Sequence, residues 1–210
     1  MHVPMTGTDK PIVIGIVGGV GSGKSTVAGI LGEAGCVVCD SDALARQALE
    51  QPDVKQQLAR RLGDDVLGID GGVDREAVSR KVFDDPELRT WLESIIHPMV
   101  EQQRRRIFDD APVGTRALVI DAPLLLEAGL GEECDVILYV DTPKDIRQHR
   151  VEINRNWPVS KHSEREEAQL PLDRKRKRSH HVLSNEGDIT RLRETVHEML
   201  GTILAPDDAG

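Results

Sequence analysis

The chain has 210 residues, of which 39% are hydrophobic and 30% charged, and its formal net charge is −9. This length suits one globular domain with a real core, whereas the negative charge argues against broad binding to nucleic acid or to an anionic membrane surface. No apolar run approaches a membrane span, and the first ten residues lack the apolar centre of a signal peptide, so a cytoplasmic location is expected.

Five short runs rich in β-branched residues predict strands that are buried on both faces, as in a parallel sheet. They cover residues 12–17, 36–38, 117–120, 136–140 and 181–183. Helical patterns lie between them, beginning with residues 25–31. This alternation predicts an α/β fold of three layers, in which right-handed crossovers join the strands of a central parallel five-stranded sheet.

Residues 54–112 interrupt the alternation, because they show only helical patterns and therefore predict a helical insertion after the second strand. Apolar residues recur there every four positions and stop at Gly63, which is expected to end a helix. Asp85 and Pro86 are expected to cap and begin the next helix.

The dipeptide of His97 and Pro98 falls inside that second helical pattern. Proline disfavours the helical conformation at the preceding residue, so Pro98 is expected to interrupt the helix and to turn His97 out of it. Taken alone, a histidine in this position is more often structural than functional.

Cys36 and Cys39 have the spacing of a redox pair, but they lie in an apolar run that predicts a strand. Redox pairs of the thioredoxin type lie at a helix N-terminus instead. Buried thiols in a reducing compartment are therefore expected.

Residues 18–26 read GGVGSGKST and fit the pattern G-x-x-x-x-G-K-[ST], directly after a predicted strand and before a predicted helix. In such a loop, backbone N–H groups converge on a phosphate, Lys24 adds charge for the β- and γ-phosphates, and Ser25 offers a hydroxyl to Mg²⁺. No NKxD sequence for guanine recognition follows. The predicted nucleotide-binding residues are Gly19, Val20, Gly21, Ser22, Gly23, Lys24, Ser25 and Thr26.

Three aspartates end predicted strands at the carboxyl edge of the sheet, where ligands bind in open α/β folds. Asp40 and Asp42 follow the second strand, and Asp121 ends the third. One carboxylate of the first pair can hold Mg²⁺ through water while the other accepts or orients the proton of an attacking hydroxyl. Helix capping is the alternative, by Asp40 or Ser41 for a helix near Ala43 and by Asp121 for a helix after it.

The stretch 147–178 contains ten Lys and Arg residues but five Asp and Glu residues, a local excess of five positive charges in a negatively charged chain. Such an excess predicts either a lid over an anionic ligand or solvated helix faces.

These features together resemble the dephospho-coenzyme A kinases, which transfer the γ-phosphoryl group of ATP to the ribose 3′-hydroxyl of dephospho-coenzyme A. The resemblance rests on GIVGGVGSGKSTVA, CDSDALAR, GGVDREAVSRKVF followed by HP, DAPLLLE, and REEAQLPLDRK before VLSN. These motifs occur in the family's order, from about Ile14 to Asn185. The resemblance implies a P-loop NTPase fold with a helical substrate-binding insertion and a helical lid, ATP and Mg²⁺ as cofactors, and dephospho-coenzyme A as substrate.

The resemblance also implies roles for single residues. Asp42 is the expected base toward the 3′-hydroxyl, with Asp40 beside it at the substrate and the metal. Lid arginines Arg150 and Arg155 are expected on the ATP phosphates, and Asn185 near adenine. The metal set is Ser25, Asp40 and Asp121, and the remaining expected substrate residues are Arg75, Phe83, His97, Leu125 and Glu127.

The sequence departs from the family pattern in two places. Asn156 follows Arg155 where the family usually has an Arg-Asp pair, and Ser179, His180 and His181 stand where an Ala-Asp pair usually precedes the last strand. The spacing from Arg147 to Arg155 is also slightly altered, which leaves open which lid arginine meets which phosphate.

Two other functions fit parts of the sequence: a kinase for a different nucleoside or small alcohol, and a regulator that binds ATP without turnover. A monomer or weak homo-oligomer without nucleic acid or membrane partners is expected.

Overall fold

The structure is a computed structural model that describes residues 10–83 and 85–205. Most of the first ten residues, on which the expected cytoplasmic location partly rests, lie outside the described residues. The side chain of Arg155 also lies outside them. The chain divides into two compact units, Met1–Cys39 with Ala111–Gly210 and Asp40–Asp110. They are called here the sheet unit and the helical unit.

The strands and helices follow one another along the chain in this order: β1 Val13–Gly18, α1 Lys24–Glu33, β2 Val37–Asp40, α2 Ser41–Leu49, α3 Pro52–Leu62, α4 Arg75–Phe83, α5 Pro86–Asp109, β3 Leu118–Asp121, β4 Val136–Asp141, α6 Lys144–Arg155, α7 Val159–Glu167, α8 Leu172–Lys177, β5 His181–Ser184 and α9 Ile189–Leu204. Short 3₁₀ turns occupy Asp64–Val66 and Leu130–Glu133. The five predicted strands are all present within a residue or two of their expected bounds.

The sheet has the strand order β2-β3-β1-β4-β5 and is parallel, with helices on both sides, which confirms the predicted three-layer α/β architecture. β1 is central, and its neighbours β3 and β4 are buried along most of their length. Aliphatic side chains of β1, β3 and β4 pack with α1 and α9 into one core that includes Ile14, Val27, Val119 and Val196. Because the strands are parallel, β1, β3, β4 and β5 present their carboxyl ends at one edge.

The prediction that every strand is buried on both faces is wrong for the two outer strands. β2 and β5 lie at the edges of the sheet, and each has exposed or half-buried residues at three of its four positions. Cys39 lies in β2, but Cys36 precedes the strand, and both thiols are buried and free of disulfides. Burial raises the pKa of the Cys36 thiol, as expected for an unreactive cysteine.

The helical unit is built from α2 to α5 around its own aliphatic core. Val54, Leu58 and Leu62 of α3 are buried in this core, and Gly63 ends the helix as predicted. Asp85 caps α5 as predicted, because its carboxylate accepts hydrogen bonds from the Glu87 and Leu88 N–H groups.

The expected interruption at Pro98 is wrong, because α5 continues through it to Asp109. A proline inside a helix costs about 3 kcal/mol. Packing offsets this cost, since α5 packs along α2 and contributes Ile96 to the core. His97 is therefore a regular residue of α5, with an exposed side chain.

Candidate active site

The glycine-rich loop connects β1, the central strand of the sheet, to α1. Gly23 is the N-cap of α1 and has no side chain that could accept a hydrogen bond from the first helical turn. The first N–H groups of a helix have no acceptor within the helix and lie at the positive end of its dipole. The loop therefore offers backbone donors suited to an anion such as phosphate.

Gly21 and Gly23 both adopt left-handed backbone conformations, with φ of 81° and 90°. A Cβ atom at Gly21 would lie 2.5 Å from the Arg147 carbonyl oxygen and 2.7 Å from Val151 Cγ2. A Cβ atom at Gly23 would overlap the side-chain amide of Asn185. The sequence predicts glycine here for the close approach of phosphate, and in the structure other segments of the protein also lie too close to the loop for a Cβ atom.

Lys24 lies in the first turn of α1, and its ammonium group donates to the carbonyl oxygens of Gly18 and Gly19, at 3.1 Å each. These bonds hold the positive charge beside the loop. Ser25 and Thr26 follow with exposed side chains. The loop thus combines backbone donors, a cation and hydroxyl groups within one turn of helix.

Two carbonyl groups of the loop are held by side chains from distant parts of the chain. The Val20 oxygen accepts hydrogen bonds from Arg147 Nη1 at 3.4 Å and His162 Nε2 at 3.1 Å. The Ser22 oxygen accepts from Asn185 Nδ2 at 2.7 Å and from Thr142 Oγ1 at 3.0 Å, a hydroxyl that also lies 3.3 Å from the Asn185 carbonyl oxygen. All four donor residues are buried.

Three of these donors, Thr142, Arg147 and His162, were not predicted as site residues. Arg147 is anchored twice more, because its Nε donates to the Thr142 carbonyl oxygen at 3.0 Å and its guanidinium pairs with Glu166. Thr142 follows β4 directly, at the carboxyl edge where ligand sites form, and this was the available signal.

Asn185 and Arg150 are two predicted nucleotide residues that the structure brings to the loop. Asn185 follows β5, and its side-chain oxygen accepts from Arg150 Nη2 at 3.4 Å while its amide nitrogen binds the Ser22 carbonyl. Arg150 is half-buried. The contact of Asn185 in this structure is therefore with the phosphate loop itself, and a contact with adenine stays a prediction.

Asp121 is the last residue of β3 and pairs in register with Ile16 of β1, beside the strand that leads into the loop. The capping alternative is wrong for Asp121, because turns and a 3₁₀ segment follow it and the next α-helix is α6. Leu125 lies in those turns and is completely buried; a Cβ atom at Gly15 would lie 2.9 Å from it. In the part of the chain that the structure describes, no three His, Cys, Asp or Glu side chains cluster as ligands for a metal.

Glu127 forms an ion pair with Lys175 of α8, at 3.0 Å, and accepts a hydrogen bond from the Leu170 N–H at 2.8 Å. Lys175 is almost fully buried and also donates to Gln169 at 2.9 Å. Burial by itself raises the pKa of Glu127, but the hydrogen bonds from Leu170 and Lys175 outweigh burial and hold that pKa below its ordinary value of 4.5. Glu127 thus fixes the chain around α8 to the turns after β3.

Glu127→Gln is expected to lower the free energy of unfolding by about 2–3 kcal/mol at pH 7, because it leaves the buried Lys175 ammonium without a countercharge. The glutamine still accepts from the Leu170 N–H, so the change isolates the charge. Urea unfolding of both proteins measures the difference. The matched control is Glu194→Gln, which removes an exposed carboxylate 3.5 Å from Arg191 and should change stability by less than about 1 kcal/mol.

The same pair predicts a pH dependence. The pKa of Glu127 is lowered in the folded state, so its stabilising contribution is complete above the unfolded value and is lost as the pH falls through the folded value. The stability difference between wild type and Glu127→Gln should therefore shrink as the pH falls below 4.5. A difference that stays constant through this range would contradict the ion-pair role.

The other predicted residues belong to the helical unit. Asp40 caps α2, since its carboxylate accepts from the Ala43 N–H at 2.8 Å, which confirms the capping alternative for this residue. Asp42 follows in the first turn of α2 with an exposed side chain. Arg75 begins α4 and Phe83 ends it, with exposed side chains like that of His97 in α5.

The turn between α6 and α7 contains one departure from the family pattern. Asn156 is the C-cap of α6 and has φ of 51°, a left-handed conformation that asparagine tolerates better than most residues. Trp157 follows, and the cations of Lys161 and Arg165 lie 4.8 Å and 6.0 Å from the centre of its ring. The aromatic ring therefore holds two positive charges of α7 together.

Comparison with known proteins identifies similar chains over most of the length. The family model described as dephospho-CoA kinase matches residues 12–191. The dephospho-CoA kinase of Corynebacterium efficiens is 35% identical over 194 residues, which are 91% of this chain and 96% of that protein. The corresponding protein of Bacillus licheniformis is 35% identical over 193 residues, with coverage of 91% and 96%.

Solved structures agree on the fold. A crystal structure from Thermus thermophilus has a TM-score of 0.83 and 35% identity and covers 94% of this chain and all of its own. A dephospho-CoA kinase from Campylobacter jejuni has a TM-score of 0.65 at 19% identity, covering 91% and 96%. A shikimate kinase from Acinetobacter baumannii has a TM-score of 0.55 at 17% identity, covering 95% and 96%. The predicted P-loop kinase fold is therefore confirmed.

Proposed function

Because the chain belongs to the dephospho-coenzyme A kinase family and so phosphorylates dephospho-coenzyme A in coenzyme A biosynthesis, we propose the following roles for its residues. The ATP phosphates bind at the glycine loop in this proposal. The observations that support it are the backbone donors at the start of α1 and the ammonium group of Lys24 beside them. Arg150 and Arg155 add positive charge from α6, and Asn185 supports the loop.

In the transfer, the ribose 3′-hydroxyl oxygen of dephospho-coenzyme A forms a bond to the γ-phosphorus of ATP. The bond from that phosphorus to the oxygen shared with the β-phosphate breaks, and ADP leaves. Asp42 orients the hydroxyl and accepts its proton as the new bond forms. Asp42 lies in the first turn of α2 with an exposed side chain, so its carboxylate is accessible to a substrate.

The helical unit supplies the acceptor site in this proposal. Arg75, Phe83 and His97 expose their side chains, so an arginine, an aromatic ring and an imidazole are available to dephospho-coenzyme A. Leu125 is fully buried and Glu127 is ion-paired, which favours an indirect role for both. They would act by shaping the segment after β3 and not by touching the acceptor.

The residues proposed for Mg²⁺ fit this ion, because they are hydroxyl and carboxylate oxygens, the ligands of a hard cation. Asp121 ends the strand beside β1, and Ser25 exposes its hydroxyl in the first turn of α1. Asp40 is the third proposed ligand; one of its oxygens caps α2. Such an ion would neutralise charge on the transferred phosphoryl group, with water and phosphate oxygens as its other ligands.

The segment 147–178 is proposed as the lid that excludes water from a phosphoryl group intended for an alcohol. Its helices carry the excess of cations, including Lys161 and Arg165 around Trp157.

A cytoplasmic monomer or weak homo-oligomer is proposed as the working form. The free cysteines fit a reducing compartment. Among the described helices, none is long and apolar enough to cross a membrane.

Purified protein with Mg-ATP and a panel of acceptors tests the proposal. ADP release should be stimulated by dephospho-coenzyme A and not by adenosine, shikimate or coenzyme A. Stimulation by another acceptor would support the kinase alternative, and ATP binding without stimulation by any acceptor would support the regulator.

A further inference from the structure

We propose that Thr142, Arg147, His162 and Asn185 are positioning residues that fix the direction of two peptide groups in the glycine loop. They are called here the peptide lock. This inference rests on the proposed function, because it assigns how the loop presents its donors to the phosphates of ATP. None of the four side chains needs to touch the nucleotide for this role.

The geometry of the peptide group links each carbonyl of the loop to the N–H that follows it. In a trans peptide, the carbonyl of one residue and the N–H of the next point in opposite directions, and the chain contains no cis peptide bond among its described residues. A hydrogen bond that fixes the Val20 carbonyl therefore also fixes the Gly21 N–H. In the same way, bonds to the Ser22 carbonyl fix the direction of the Gly23 N–H.

Each of these carbonyls is held by two buried donors on the outer side of the loop. Arg147 and His162 draw the Val20 carbonyl toward α6 and α7, so the Gly21 N–H is turned away from those helices. Thr142 and Asn185 hold the Ser22 carbonyl, so the Gly23 N–H is turned away from them. Neither N–H donates to a backbone carbonyl of the described chain, so both are available to a ligand.

A lock is needed because the residue after each carbonyl is glycine. Glycine adopts positive and negative φ with similar ease, so a peptide next to it rotates at little conformational cost. A flipped peptide would point a carbonyl oxygen toward the phosphate in place of an N–H. The partial negative charge of that oxygen would repel the phosphate. Two buried hydrogen bonds on each carbonyl oppose that flip before ATP arrives.

Further contacts connect the lock to the lid. His162 and Glu166 are four residues apart on α7, so they share one face of the helix. His162 binds the Val20 carbonyl, and Glu166 pairs with Arg147 and lies against Gly19. One face of α7 is thus bonded to the loop, and a movement of α7 would change the direction of the Gly21 N–H.

The test compares ligand binding by two variants, each of which removes one hydrogen-bond donor at a separate peptide. Thr142→Val removes the hydroxyl donor to Ser22, and His162→Met removes the imidazole donor to Val20. Equilibrium binding of Mg-ATP, inorganic tripolyphosphate and dephospho-coenzyme A is measured for each, together with thermal stability. Tripolyphosphate has no base or ribose, so it reports on the loop alone.

Each variant is expected to weaken the binding of ATP and of tripolyphosphate by the same factor. This factor is about three- to tenfold, which corresponds to the net free energy of one hydrogen bond. Dephospho-coenzyme A affinity should be unchanged, and His162→Gln, which restores a donor, should recover most of the loss. The matched control is Thr202→Val in α9, where the lost bond is a 3.1 Å contact within an exposed helix turn. This control should bind all three ligands like wild type.

Wild-type tripolyphosphate affinity in both variants would overturn the lock, as would a loss confined to ATP, which would indicate contact with the base or ribose. An equal loss for dephospho-coenzyme A would show general damage and would also overturn it. If one variant fails to fold, ligand binding by the other variant still tests the proposal at its own peptide. Failure of the proposed function appears separately, as wild-type protein without acceptor-dependent ADP release.

Discussion

Replacing Lys24 by alanine is expected to abolish measurable phosphoryl transfer, a loss in kcat/KM of about 10³-fold or more. The Lys24 ammonium is held by the Gly18 and Gly19 carbonyls and is proposed to lie against the β- and γ-phosphates. Charge on the transferred group changes during the reaction, and a fixed cation in a site without water stabilises it without reorganisation. A 10³-fold loss corresponds to about 4 kcal/mol of transition-state stabilisation.

Steady-state kinetics with ATP and dephospho-coenzyme A measures this loss, and thermal unfolding separates it from damage to the loop. Lys24→Arg keeps the charge but replaces a compact ammonium by a planar fork, so it should recover little activity. Lys10→Ala removes an exposed lysine before β1 and serves as the control. Retention of more than a tenth of the activity in Lys24→Ala would remove this residue from the phosphate site.

Asp42→Asn is expected to lower kcat by well over tenfold while changing ATP affinity little. The amide keeps the shape of the carboxylate but accepts no proton from the 3′-hydroxyl. ATP is proposed to bind at the glycine loop of the sheet unit, whereas Asp42 belongs to the helical unit, so the two effects should separate. Rates at saturating dephospho-coenzyme A, together with direct ATP binding, measure both.

Asp53→Asn is the matched control, because Asp53 also lies exposed in the first turn of a helix of the helical unit. A loss below about tenfold in Asp42→Asn, roughly 1.4 kcal/mol, would remove the base role. In a loose transition state the acceptor oxygen needs less help from a base, and orientation then accounts for what remains.

Local patterns predicted those parts of the fold in which neighbouring residues decide the structure. The β-branched runs predicted five strands, and Gly63 and Asp85 ended and capped helices, because each signal acts within a few residues. Pro98 was misjudged for the opposite reason: packing of α5 on α2 outweighs the local preference of proline.

The local pattern of the glycine loop predicted its position between a strand and a helix, but most of the side chains that hold its carbonyl groups were not predicted. Thr142, Arg147 and His162 reach the loop across more than a hundred residues of sequence. No spacing within one segment indicates such contacts, and a buried arginine or histidine looks like any polar residue of a charged stretch. Glu127 is a similar case, since only the folded chain shows that Lys175 is its partner.

The position of Trp157 gives the protein an optical property. The sequence contains two tryptophans, Trp91 in α5 of the helical unit and Trp157 in the turn before α7. Each unit therefore carries its own intrinsic fluorophore, and replacing one by phenylalanine leaves the other as a single reporter. Since Lys161 and Arg165 lie near the Trp157 ring, its emission should change if these cations of α7 move when nucleotide binds.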